Sequence, residues 1–596
     1  MNITSSAPQP SPRVWALKNT GQNGGTVGAD VQAVEAWNMV ESTDAPIIAV
    51  IDDGVDYTHP GLQGSLWTNP GEIPDNGIDD DGNGVVDDVH GYDAFHQTGA
   101  PMPGPTLKHG THCAGTIGGK DEDGTQIGIL PGARIMPIKV YDQYGQTNDE
   151  AIARGFEYAT RMGARITSNS WNTMQYSPVI EKAMAASPAL HVCAAGNYGF
   201  NNDVVGSYPA NLNLENILSV AATDSNDRKA DFSQWGPQNV DVAAPGVDIW
   251  STVTGGGYQS KEGTSMATPL VAGLAGLLLS RYPNATNAEL RDRLVYGSER
   301  SEDLVNVSVS GGRVNAPRSL EDDRIAPSSP GDARFSAHGF RGGELTWTTP
   351  GDDGPNTDPS LTEVRISDEP ITKDNFQDTV LFARVSAEAA GETVKLDCPK
   401  VPEAVERTIY FGLQAIDNVG NRSALTSVPT TTPAALSEKI GAFESGAGFR
   451  ADGNFEWKID AKGRGYFTTE NAYKTLAQVS TLQLPPLDLS GKKDSYLSFH
   501  RETNLFRGAQ AAIEVSRDGE TWQTLRQLGP RSSGWEEDGL DLSEFDGERL
   551  NLRLHLDSAT AMSKGSLIRI NQFRLLHGSS ASLDREVDDA YGEELK

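Results

Sequence analysis

The sequence has few cysteines, no long apolar segment and a shortage of basic residues. Its three cysteines, Cys113, Cys193 and Cys398, are odd in number and widely spaced, so neither a disulfide framework nor a C-x-x-C metal or redox pair is expected. The longest apolar stretch, residues 270–279, is about half the length that spans a bilayer, so no membrane span is expected. The 81 acidic residues outnumber 49 Lys and Arg, for a net charge of −32. This excess argues against nucleic acid or an anionic membrane as the main partner.

The first 320 residues alternate strand-like apolar runs with helical patterns. The strand-like runs are residues 46–51, 134–140, 190–195 and 217–221. These runs are mostly apolar without a polar–apolar alternation, which indicates strands that are covered on both faces, as in a parallel sheet. Helical patterns cover residues 149–162 and 264–281. The order predicts an α/β fold with a doubly wound, mostly parallel sheet.

After residue 320 the pattern changes to short alternating strands. The Pro- and Ser-containing segment 321–330 is predicted to be a linker. Two all-β sandwich domains are predicted after it. The runs WTTPGDDG (347–354) and YFGLQAID (410–417) resemble a fibronectin type III domain, and a later segment resembles a jelly-roll sandwich. The predicted limits are 1–14 for an N-terminal extension, 15–320 for the α/β domain, 331–433 for the fibronectin type III-like sandwich, 437–578 for the jelly-roll-like sandwich and 579–596 for an acidic flexible tail.

A candidate nucleophile stands at the start of the second helical pattern, in the run GTSMATP (263–269). The N-terminus of a helix offers a favourable dipole and free backbone N–H groups, which suit a serine whose attack generates an oxyanion. Ser265 is therefore a candidate nucleophile. The alternative is a plain helix cap, because Ser is favoured at that position.

A candidate base lies in the run KHGTHCAGT (108–116). Small residues behind His109 allow its imidazole to lie at a helix start and face a cleft. His112 competes for this role, but we expect it to point into the fold. A lone histidine is more often structural than catalytic, so the motif alone leaves both interpretations open.

Polar residues follow two of the predicted strands. Asp52 and Asp53 come at the carboxyl end of the first, which is where open α/β sheets build their sites. An ionised Asp52 can hold a histidine in one tautomer, with Asp53 as the neighbouring alternative and a turn as the structural one. Asn197 follows the strand over 190–195, and its amide could donate to an oxyanion or only turn the chain.

Together these four segments resemble the subtilisin-like serine protease (subtilase) family, over about residues 15–320. The order Asp, His, Asn, Ser along the chain is similar to the order in that family. The resemblance implies a serine endopeptidase that cleaves proteins or peptides through an acyl-enzyme, with Asp52, His109 and Ser265 as the triad and Asn197 at the oxyanion. It also implies that Cys113 is buried beneath the catalytic histidine, as in one branch of the family.

The same resemblance implies a substrate-binding cleft. Its expected residues are Tyr144, Gly145 and Gln146 at one edge, Ser170, Trp171 and Asn172 along the substrate backbone, and Ala195 and Gly196 before the oxyanion residue. The family usually has Gly where Asn172 stands, so the side-chain preference is not predicted. Secretion or an extracellular location is expected, although residues 1–5 lack the basic and apolar pattern of a signal peptide, and a cytoplasmic location stays open.

A structural calcium ion is predicted from the loop DNGIDDDGNGVVDD (75–88), which holds six aspartates and no basic residue. A hard divalent cation would remove the repulsion among these carboxylates. The candidate ligands are Asp75, Asp79, Asp81, Asn83, Asp87 and Asp88. The alternative is a solvated acidic loop, since the loop lacks the final Glu ligand of an EF-hand calcium site.

A second functional hypothesis belongs to another class. The chain could be an adhesive or binding protein in which the protease domain is ancillary and the β-sandwiches recognise a surface or matrix ligand. The intact set of four candidate residues favours an active endopeptidase.

Overall fold

The structure is a computed structural model, and it describes most of the chain with several gaps. The described residues are 8–41, 44–337, 343–352, 361–387, 389–398, 407–432, 436–439, 449–452, 456–459, 465–468, 479–504, 510–528, 536–557 and 567–579. Residues 1–7 of the predicted N-terminal extension and residues 580–596 of the predicted acidic tail lie outside them. The chain divides into two compact units, of which the first comprises residues 1–328, 351–362 and 415–423.

The first unit contains one large sheet, a two-stranded hairpin and seven helices within its described residues. The strands are β1 (Ile47–Asp52), β2 (Tyr92–Asp93), β3 (Arg134–Lys139), β4 (Ile166–Asn169), β5 (Leu190–Ala194), β6 (Ile217–Thr223), β7 (Val242–Pro245), β8 (Ile249–Val253), β9 (Gly257–Lys261), β10 (Glu299–Arg300) and β11 (Gly312–Arg313). The helices are α1 (Ala33–Trp37), α2 (His109–Gly118), α3 (Asp149–Arg161), α4 (Pro178–Ala185), α5 (Thr264–Arg281), α6 (Asn287–Tyr296) and α7 (Ala316–Leu320).

The large sheet has nine strands in the order β10-β11-β7-β6-β5-β4-β1-β3-β2. All its pairs are parallel except β10 with β11. In register, Ile48 of β1 lies between Ile135 of β3 and Ile166 of β4. Since the chain leaves β1 toward β3 and later returns to β4 on the other side, the strand order reverses beside β1. The predicted doubly wound parallel sheet is confirmed.

Both faces of the sheet are buried, which explains the continuous apolar runs. Ile48 and Val50 of β1 belong to the core under α2 and α5, whereas Ala49 and Ile51 belong to the core under α3 and α4. Strands covered on both faces have no solvent side, so they need no alternation of polar residues. Helix α5 is apolar on all sides and is buried from Thr264 to Ser280.

The residues beyond 328 are β-rich. Their described strands are β12 (Gly331–Ala337), β13 (Gly343–Thr348), β14 (Leu361–Ser367), β15 (Val380–Ser386), β16 (Thr393–Cys398), β17 (Arg407–Ile416), β18 (Thr426–Thr432), β19 (Leu436–Lys439), β20 (Arg450–Asp452), β21 (Glu456–Ile459), β22 (Gly465–Thr468), β23 (Val479–Gln483), β24 (Leu487–Asp488), β25 (Lys492–Asn504), β26 (Gln510–Ser516), β27 (Gln523–Gln527), β28 (Glu536–Asp541), β29 (Arg549–Asp557) and β30 (Leu567–Ser579).

These strands form two pairs of sheets. Strands β12-β13-β16 and β15-β14-β17-β18 share a core that includes Trp347 and Phe411. Strands β21-β22-β30-β25-β28 and β20-β23-β29-β26-β27 share a second core, into which β29 places its alternate leucines, Leu550, Leu552 and Leu554. The β-rich character matches the sequence pattern, while the fibronectin type III and jelly-roll assignments and the domain limits stay predictions.

None of the helices in the described part of the chain is long and apolar enough to cross a membrane.

Candidate active site

The predicted site residues gather at one edge of the large sheet. Asp52 ends β1, Ser170 follows β4, Asn197 follows β5, and Tyr144 lies in the turn after β3. These four strands are neighbours in the order β5-β4-β1-β3, and all four run parallel. Their carboxyl ends therefore meet at the place where the strand order reverses, which is where open α/β sheets form clefts.

The buried Asp52 forms a hydrogen-bonded pair with the partly exposed His109. His109 is the first residue of α2, and its Nδ1 lies 2.8 Å from Oδ1 and 3.0 Å from Oδ2 of Asp52. The Asp52 side chain is buried, whereas 34% of the His109 side chain is exposed. A carboxylate at this distance holds the proton on Nδ1 and leaves Nε2 as the nitrogen that can accept a proton.

Two opposing effects act on the pKa of His109. Burial is the largest single effect and lowers the pKa, because the charged ring loses hydration. The Asp52 charge, its hydrogen bond to the ring and the nearby Cys113 together raise the pKa by more, so that it lies well above its ordinary value. The imidazolium form is therefore stabilised by Asp52. That is the form a base takes after it has removed a proton from a nucleophile.

Asp53 has a different task from its neighbour. Its Oδ1 accepts the backbone N–H of Gly110 at 2.7 Å and its Oδ2 accepts that of His109 at 3.1 Å. A carboxylate on the first N–H groups of a helix satisfies donors that have no partner inside the helix. Burial and the charge of Asp52 raise the pKa of Asp53 to about 6. The structure thus assigns the ring contact to Asp52 and the support of the α2 N-terminus to Asp53.

Ser265 is the second residue of α5 and is 9% exposed. Its Oγ donates to the carbonyl oxygen of Ser170 at 3.0 Å. The same two residues are joined again by the Ser170 Oγ, which donates to the Ser265 carbonyl at 2.9 Å. No hydrogen bond joins Ser265 to His109, both of which belong to the described chain. Catalytic hydrogen bonds are often absent or long before substrate binds.

Cys113 lies between the candidate base and the nucleophile helix. It is fully buried, with its Sγ 4.0 Å from Nδ1 of His109 and 3.6 Å from the carbonyl oxygen of Ser265. Burial raises the pKa of the Cys113 thiol, although the neighbouring His109 lowers it in part. The thiol therefore stays protonated and packs α2 against α5.

Asn197 is fixed by the start of α5. Its Oδ1 accepts from the backbone N–H of Thr264 at 2.9 Å and from the Thr264 hydroxyl at 3.0 Å. The side chain is exposed, and its Nδ2 donates to no other described residue. The amide is thus held in one orientation with its N–H groups available for a ligand.

The residues before Asn197 are fixed as well. Gly196 has φ +115°, and a Cβ on it would lie 2.0 Å from Oε1 of Gln234, so any other residue would be strained and would displace the Gln234 side chain. Its N–H donates to the Thr264 hydroxyl at 3.2 Å. Ala195 is buried and its N–H donates to Val220 in the sheet. These contacts hold the chain rigid just before the exposed amide.

The predicted substrate edges occupy separate strand ends. Trp171 donates its ring N–H to the Ile51 carbonyl at 3.1 Å, and Asn172 donates to the Ser207 hydroxyl at 3.1 Å. On the β3 side, Asp142 Oδ1 accepts the backbone N–H groups of Tyr144 and Gln146, both at 2.8 Å. Gly145 between them has φ +78°, and Tyr144 is 77% exposed. The turn is therefore held by its own hydrogen bonds and presents an aromatic ring to solvent.

The acidic loop brings together only part of its predicted ligand set. The carboxylates of Glu72, Asp81 and Asp88 offer oxygens within 4.8 Å of one another. Oε1 of Glu72 accepts from two loop N–H groups, while its buried Oε2 has no hydrogen-bond partner in the described chain. Asn83 donates to Asp81 and to Asp88 from its Nδ2. A buried carboxylate oxygen without a donor fits a cation better than a solvated loop.

The other predicted ligands act within the loop. Asp79 accepts the N–H groups of Asn83 and Gly84, and Asp87 accepts those of Asn76 and Gly77. Asp75 is exposed. Glu72 was not predicted as a ligand, because it lies three residues before the acidic run. Its only signal was a carboxylate in the preceding Asn-Pro-Gly-Glu segment.

Known proteins are similar to this chain over the same region. The subtilase family (Peptidase_S8) matches residues 43–312. Thermitase of Thermoactinomyces vulgaris is 36% identical over 261 residues, which cover 43% of this chain and 82% of thermitase. Subtilisin Savinase of Lederbergia lenta is 33% identical over 267 residues, covering 44% of this chain and 87% of that protein.

Two further similarities cover different shares of the proteins compared. The cell wall-associated protease of Bacillus subtilis (strain 168) is 33% identical over 335 residues, or 55% of this chain, and the aligned part spans 34% of that longer protein. A solved structure of a cold-adapted subtilisin-like serine proteinase has a TM-score of 0.39 and 24% identity, and the alignment covers 51% of this chain and 97% of that one. Given the identity to thermitase and Savinase over most of their lengths, the chain belongs to the subtilase family of serine-type endopeptidases.

Proposed function

We propose that this protein hydrolyses peptide bonds of proteins and peptides, with Ser265 as nucleophile, His109 as base and Asp52 as the acid that orients the base. The observation that supports this most is the 2.8 Å contact of His109 Nδ1 with Asp52 beside the start of α5. It leaves Nε2 of His109 as the proton acceptor. It also makes the imidazolium form favourable, which the first step requires.

The hydrogen bond from the Ser265 hydroxyl to Ser170 must break before Ser265 can react. In the resting state its hydroxyl donates to the Ser170 carbonyl, so the side chain has to rotate toward His109 when a substrate binds. His109 Nε2 then takes the hydroxyl proton while Oγ attacks the substrate carbonyl carbon. The electron pair of the C=O bond moves onto oxygen, and a tetrahedral oxyanion forms.

The oxyanion would be held by Asn197 and the start of α5. The Nδ2 of Asn197 is free to donate, because Thr264 holds the Oδ1 end of the amide. A backbone N–H in the first turn of α5 supplies a second donor. The imidazolium of His109 next gives its proton to the leaving amine, and the C–N bond breaks. Water then attacks the acyl carbon while His109 Nε2 takes its proton. The Oγ–C bond breaks, the carboxylic acid product leaves, and His109 returns the proton to the Ser265 Oγ.

The substrate would lie extended between the ends of β4 and β3. Ser170, Trp171 and Asn172 would border one side, and the turn with Tyr144, Gly145 and Gln146 the other. Ala195 and Gly196 would form the floor before Asn197. The Asn172 side chain is held by Ser207, so it would narrow the entrance to the first specificity pocket.

A structural calcium ion in the acidic loop is also proposed. Glu72, Asp81 and Asp88 would hold it, with Asn83 beside them, and the unpartnered Oε2 of Glu72 supports this set. Calcium accepts six to eight oxygens at flexible geometry, so backbone carbonyls or water would complete the shell. Its role would be stability, because the loop contains none of the proposed catalytic residues.

The calcium proposal predicts a change in stability. A ligand that binds only the native state at a hundredfold excess over its Kd stabilises by about 2.7 kcal/mol. EDTA should therefore lower Tm, and calcium should restore it. Asp81→Asn should remove the response, whereas the exposed Asp75→Asn should keep it. Equal melting with and without calcium in metal-stripped protein would exclude a stabilising ion.

An extracellular location is proposed with the endopeptidase function, supported by the similarity to a cell wall-associated protease. The β-rich region beyond residue 328 would then recognise substrate or a surface. The alternative, an adhesive protein whose protease part is ancillary, predicts no turnover. Casein hydrolysis with and without a serine-directed phosphonate decides between them: loss of a measurable activity on inhibition supports the endopeptidase, and no activity in the untreated protein contradicts it.

A further inference from the structure

Three aspartates that do not belong to the acidic loop come from distant parts of the sequence and meet in the first compact unit. Asp323, Asp352 and Asp417 offer carboxylate oxygens that all lie within 4.8 Å of one another. Each stands in a segment that belongs to the first unit. A cluster of acids is not a site by itself, so the surroundings of each group matter.

Asp417 is fully buried, and only half of its carboxylate is satisfied. Its Oδ1 accepts the backbone N–H groups of Val419 at 2.9 Å and Asn421 at 2.8 Å. Its Oδ2 is buried and accepts no hydrogen bond from the described residues. An aspartate that shapes a turn in this way normally leaves its second oxygen to water, but Asp417 has no exposed surface.

A nearby negative charge makes the burial of the Asp417 carboxylate less favourable. Burial raises the pKa of the Asp417 carboxyl, the Asn421 side chain and the backbone N–H groups of Val419 and Asn421 lower it, and the nearby charge of Asp323 raises it again. Neither Asp323 nor Asp417 forms an ion pair with a basic side chain among the residues that the structure describes. The basic neighbour in sequence, Arg324, is 84% exposed and pairs with Asp322 instead.

The turn around Asp417 is fixed by further contacts. The Asp417 N–H donates to the Asn421 carbonyl at 3.1 Å, and Gly420 between them has φ +95°. The Asn421 side chain donates to the backbone carbonyl of Asp323 at 3.4 Å. Oδ2 of Asp417 is therefore held near the Asp323 carboxylate, and none of the described donors is placed to form a hydrogen bond to it.

The geometry points to a second calcium site, formed by Asp323, Asp352 and Asp417. Calcium binds oxygens at 2.3–2.6 Å, so two ligands on opposite sides of the ion stand about 4.6–5.2 Å apart, which matches the spread of these carboxylates. A divalent cation would supply the partner that the buried Asp417 oxygen lacks. It would also remove the repulsion between Asp417 and Asp323.

The site would join segments that lie far apart in sequence. Asp323 and Asp417 are separated by more than ninety residues, yet both contribute to the same unit. The ion would thus stabilise the fold of this region independently of the acidic loop near Asp81 and of the proposed peptidase chemistry.

Calcium stoichiometry tests this inference. The full-length Ser265→Ala protein, used so that self-digestion does not interfere, would be stripped of metal and dialysed against radioactive calcium. We expect Asp417→Asn and Asp352→Asn each to bind one calcium ion fewer per chain than the parent. Asp81→Asn should lose a different ion, and the double variant Asp81→Asn/Asp417→Asn should lose both.

Asp322→Asn is the matched control, since Asp322 adjoins the cluster but pairs with Arg324 at the surface. It should bind as many ions as the parent. Far-UV circular dichroism establishes whether each variant is folded. If Asp417→Asn does not fold, the calcium stoichiometry of Asp352→Asn, at a half-buried position, tests the site instead. The inference is overturned if the cluster variants bind calcium like the Asp322→Asn control, or if the site takes magnesium but no calcium.

Discussion

The two faces of helix α2 carry histidines in opposite environments. His109 faces the cleft, a third of its side chain is exposed, and its Nδ1 meets the Asp52 carboxylate. His112, one turn later, is fully buried, and its Nε2 meets the backbone carbonyls of Ile249 and Gln259 at 2.9 and 3.1 Å. The pKa of His109 lies well above its ordinary value, whereas burial and the charge of Lys261 lower that of His112 to about 3.

The difference shows that the acceptor decides what a histidine can do. A carboxylate stabilises the charged ring, so the residue can take up a proton during a reaction. Two neutral carbonyls hold a neutral ring, so the residue serves only packing and hydrogen bonding. These environments suit His109 to its proposed role as a base and His112 to a structural role, and substitutions should distinguish the two.

Replacement of the cleft histidine should have the largest effect. His109→Ala should lower kcat by about six orders of magnitude, a size known from another member of this family. The variant should also lose the stability that the His109–Asp52 pair supplies below the raised pKa of His109, an effect far smaller than the loss of kcat. Peptide hydrolysis under steady-state conditions measures the first effect, and urea unfolding measures the second. A variant that keeps more than a hundredth of the activity would mean that another base serves Ser265.

Loss of the Asp52 charge should cause the second-largest decrease in kcat. Asp52→Asn should reduce kcat by roughly four orders of magnitude, because the neutral amide favours the wrong histidine tautomer. Asp53→Asn is the matched control, since it changes the neighbouring carboxylate without touching the ring. Comparable losses in the two variants would contradict the separate roles of these aspartates.

The pH dependence of activity should show how the Asp52 charge affects the pKa of His109. The base must be neutral to accept the Ser265 proton, so activity should rise with pH and reach half its maximum above the usual value of about 6.5 for histidine. In Asp52→Asn the residual activity should have a lower midpoint, because the charge that raises the pKa is gone. A midpoint unchanged between the two proteins would show that Asp52 does not set the pKa of His109.

The buried histidine should affect stability alone. His112→Phe removes the donor to two buried carbonyls and should cost about 1–3 kcal/mol of unfolding free energy. Turnover of the folded variant should stay near that of the parent. Urea unfolding in the Ser265→Ala background, combined with activity in the otherwise unchanged chain, tests both statements. A large loss of kcat without loss of stability would place His112 in the chemistry.

The two histidines should also have opposite pH linkage. The folded-state pKa of His112 is depressed, so its contribution to stability is present above about pH 6.5 and is lost as pH falls toward about 3. The folded-state pKa of His109 is raised, so its contribution is present below about pH 6.5 and is lost as pH rises through the raised pKa. His112→Phe should therefore flatten the fall in stability on the acid side, and an unchanged acid limb would contradict this assignment.

The smallest effect is expected at Asp53. Asp53→Asn replaces a charged acceptor at the α2 N-terminus and should cost about 1 kcal/mol. Because the pKa of Asp53 is raised to about 6 from an ordinary 3.8, its folded-state preference for the proton favours the native state in acid and is lost as pH rises from about 4 to 6. In the variant this slope should vanish, which unfolding experiments between pH 4 and 7 can measure.

Local pattern predicted the α/β part of the fold well. The helix over 264–281 is observed as Thr264–Arg281, and the strand over 134–140 as Arg134–Lys139. These elements are buried on both faces or on all sides, so burial leaves a strong signal in the sequence. Short elements such as Val242–Pro245 were missed, since four residues carry little pattern and depend on their neighbours.

The site was predicted only where motifs are local. The motifs predict Asp52, His109, Asn197 and Ser265 as site residues, and their catalytic roles stay predictions. The structure brings their segments to one edge of the sheet. Contacts between distant segments were not predictable: the hydrogen bond from Ser265 to Ser170, the closure of the acidic loop by Glu72, and the meeting of Asp323 with Asp417. Each depends on tertiary packing, which no spacing along the chain encodes.

The most direct test of the proposed chemistry is the position of a covalent phosphonate adduct. A fluorophosphonate loses fluoride as the activated serine oxygen attacks phosphorus, and peptide mapping by mass spectrometry locates the new P–O bond. We expect a single adduct on Ser265 that forms rapidly in the parent and in His112→Phe but is nearly absent in His109→Ala. Labelling at another residue, or equal rates in His109→Ala and the parent, would contradict it.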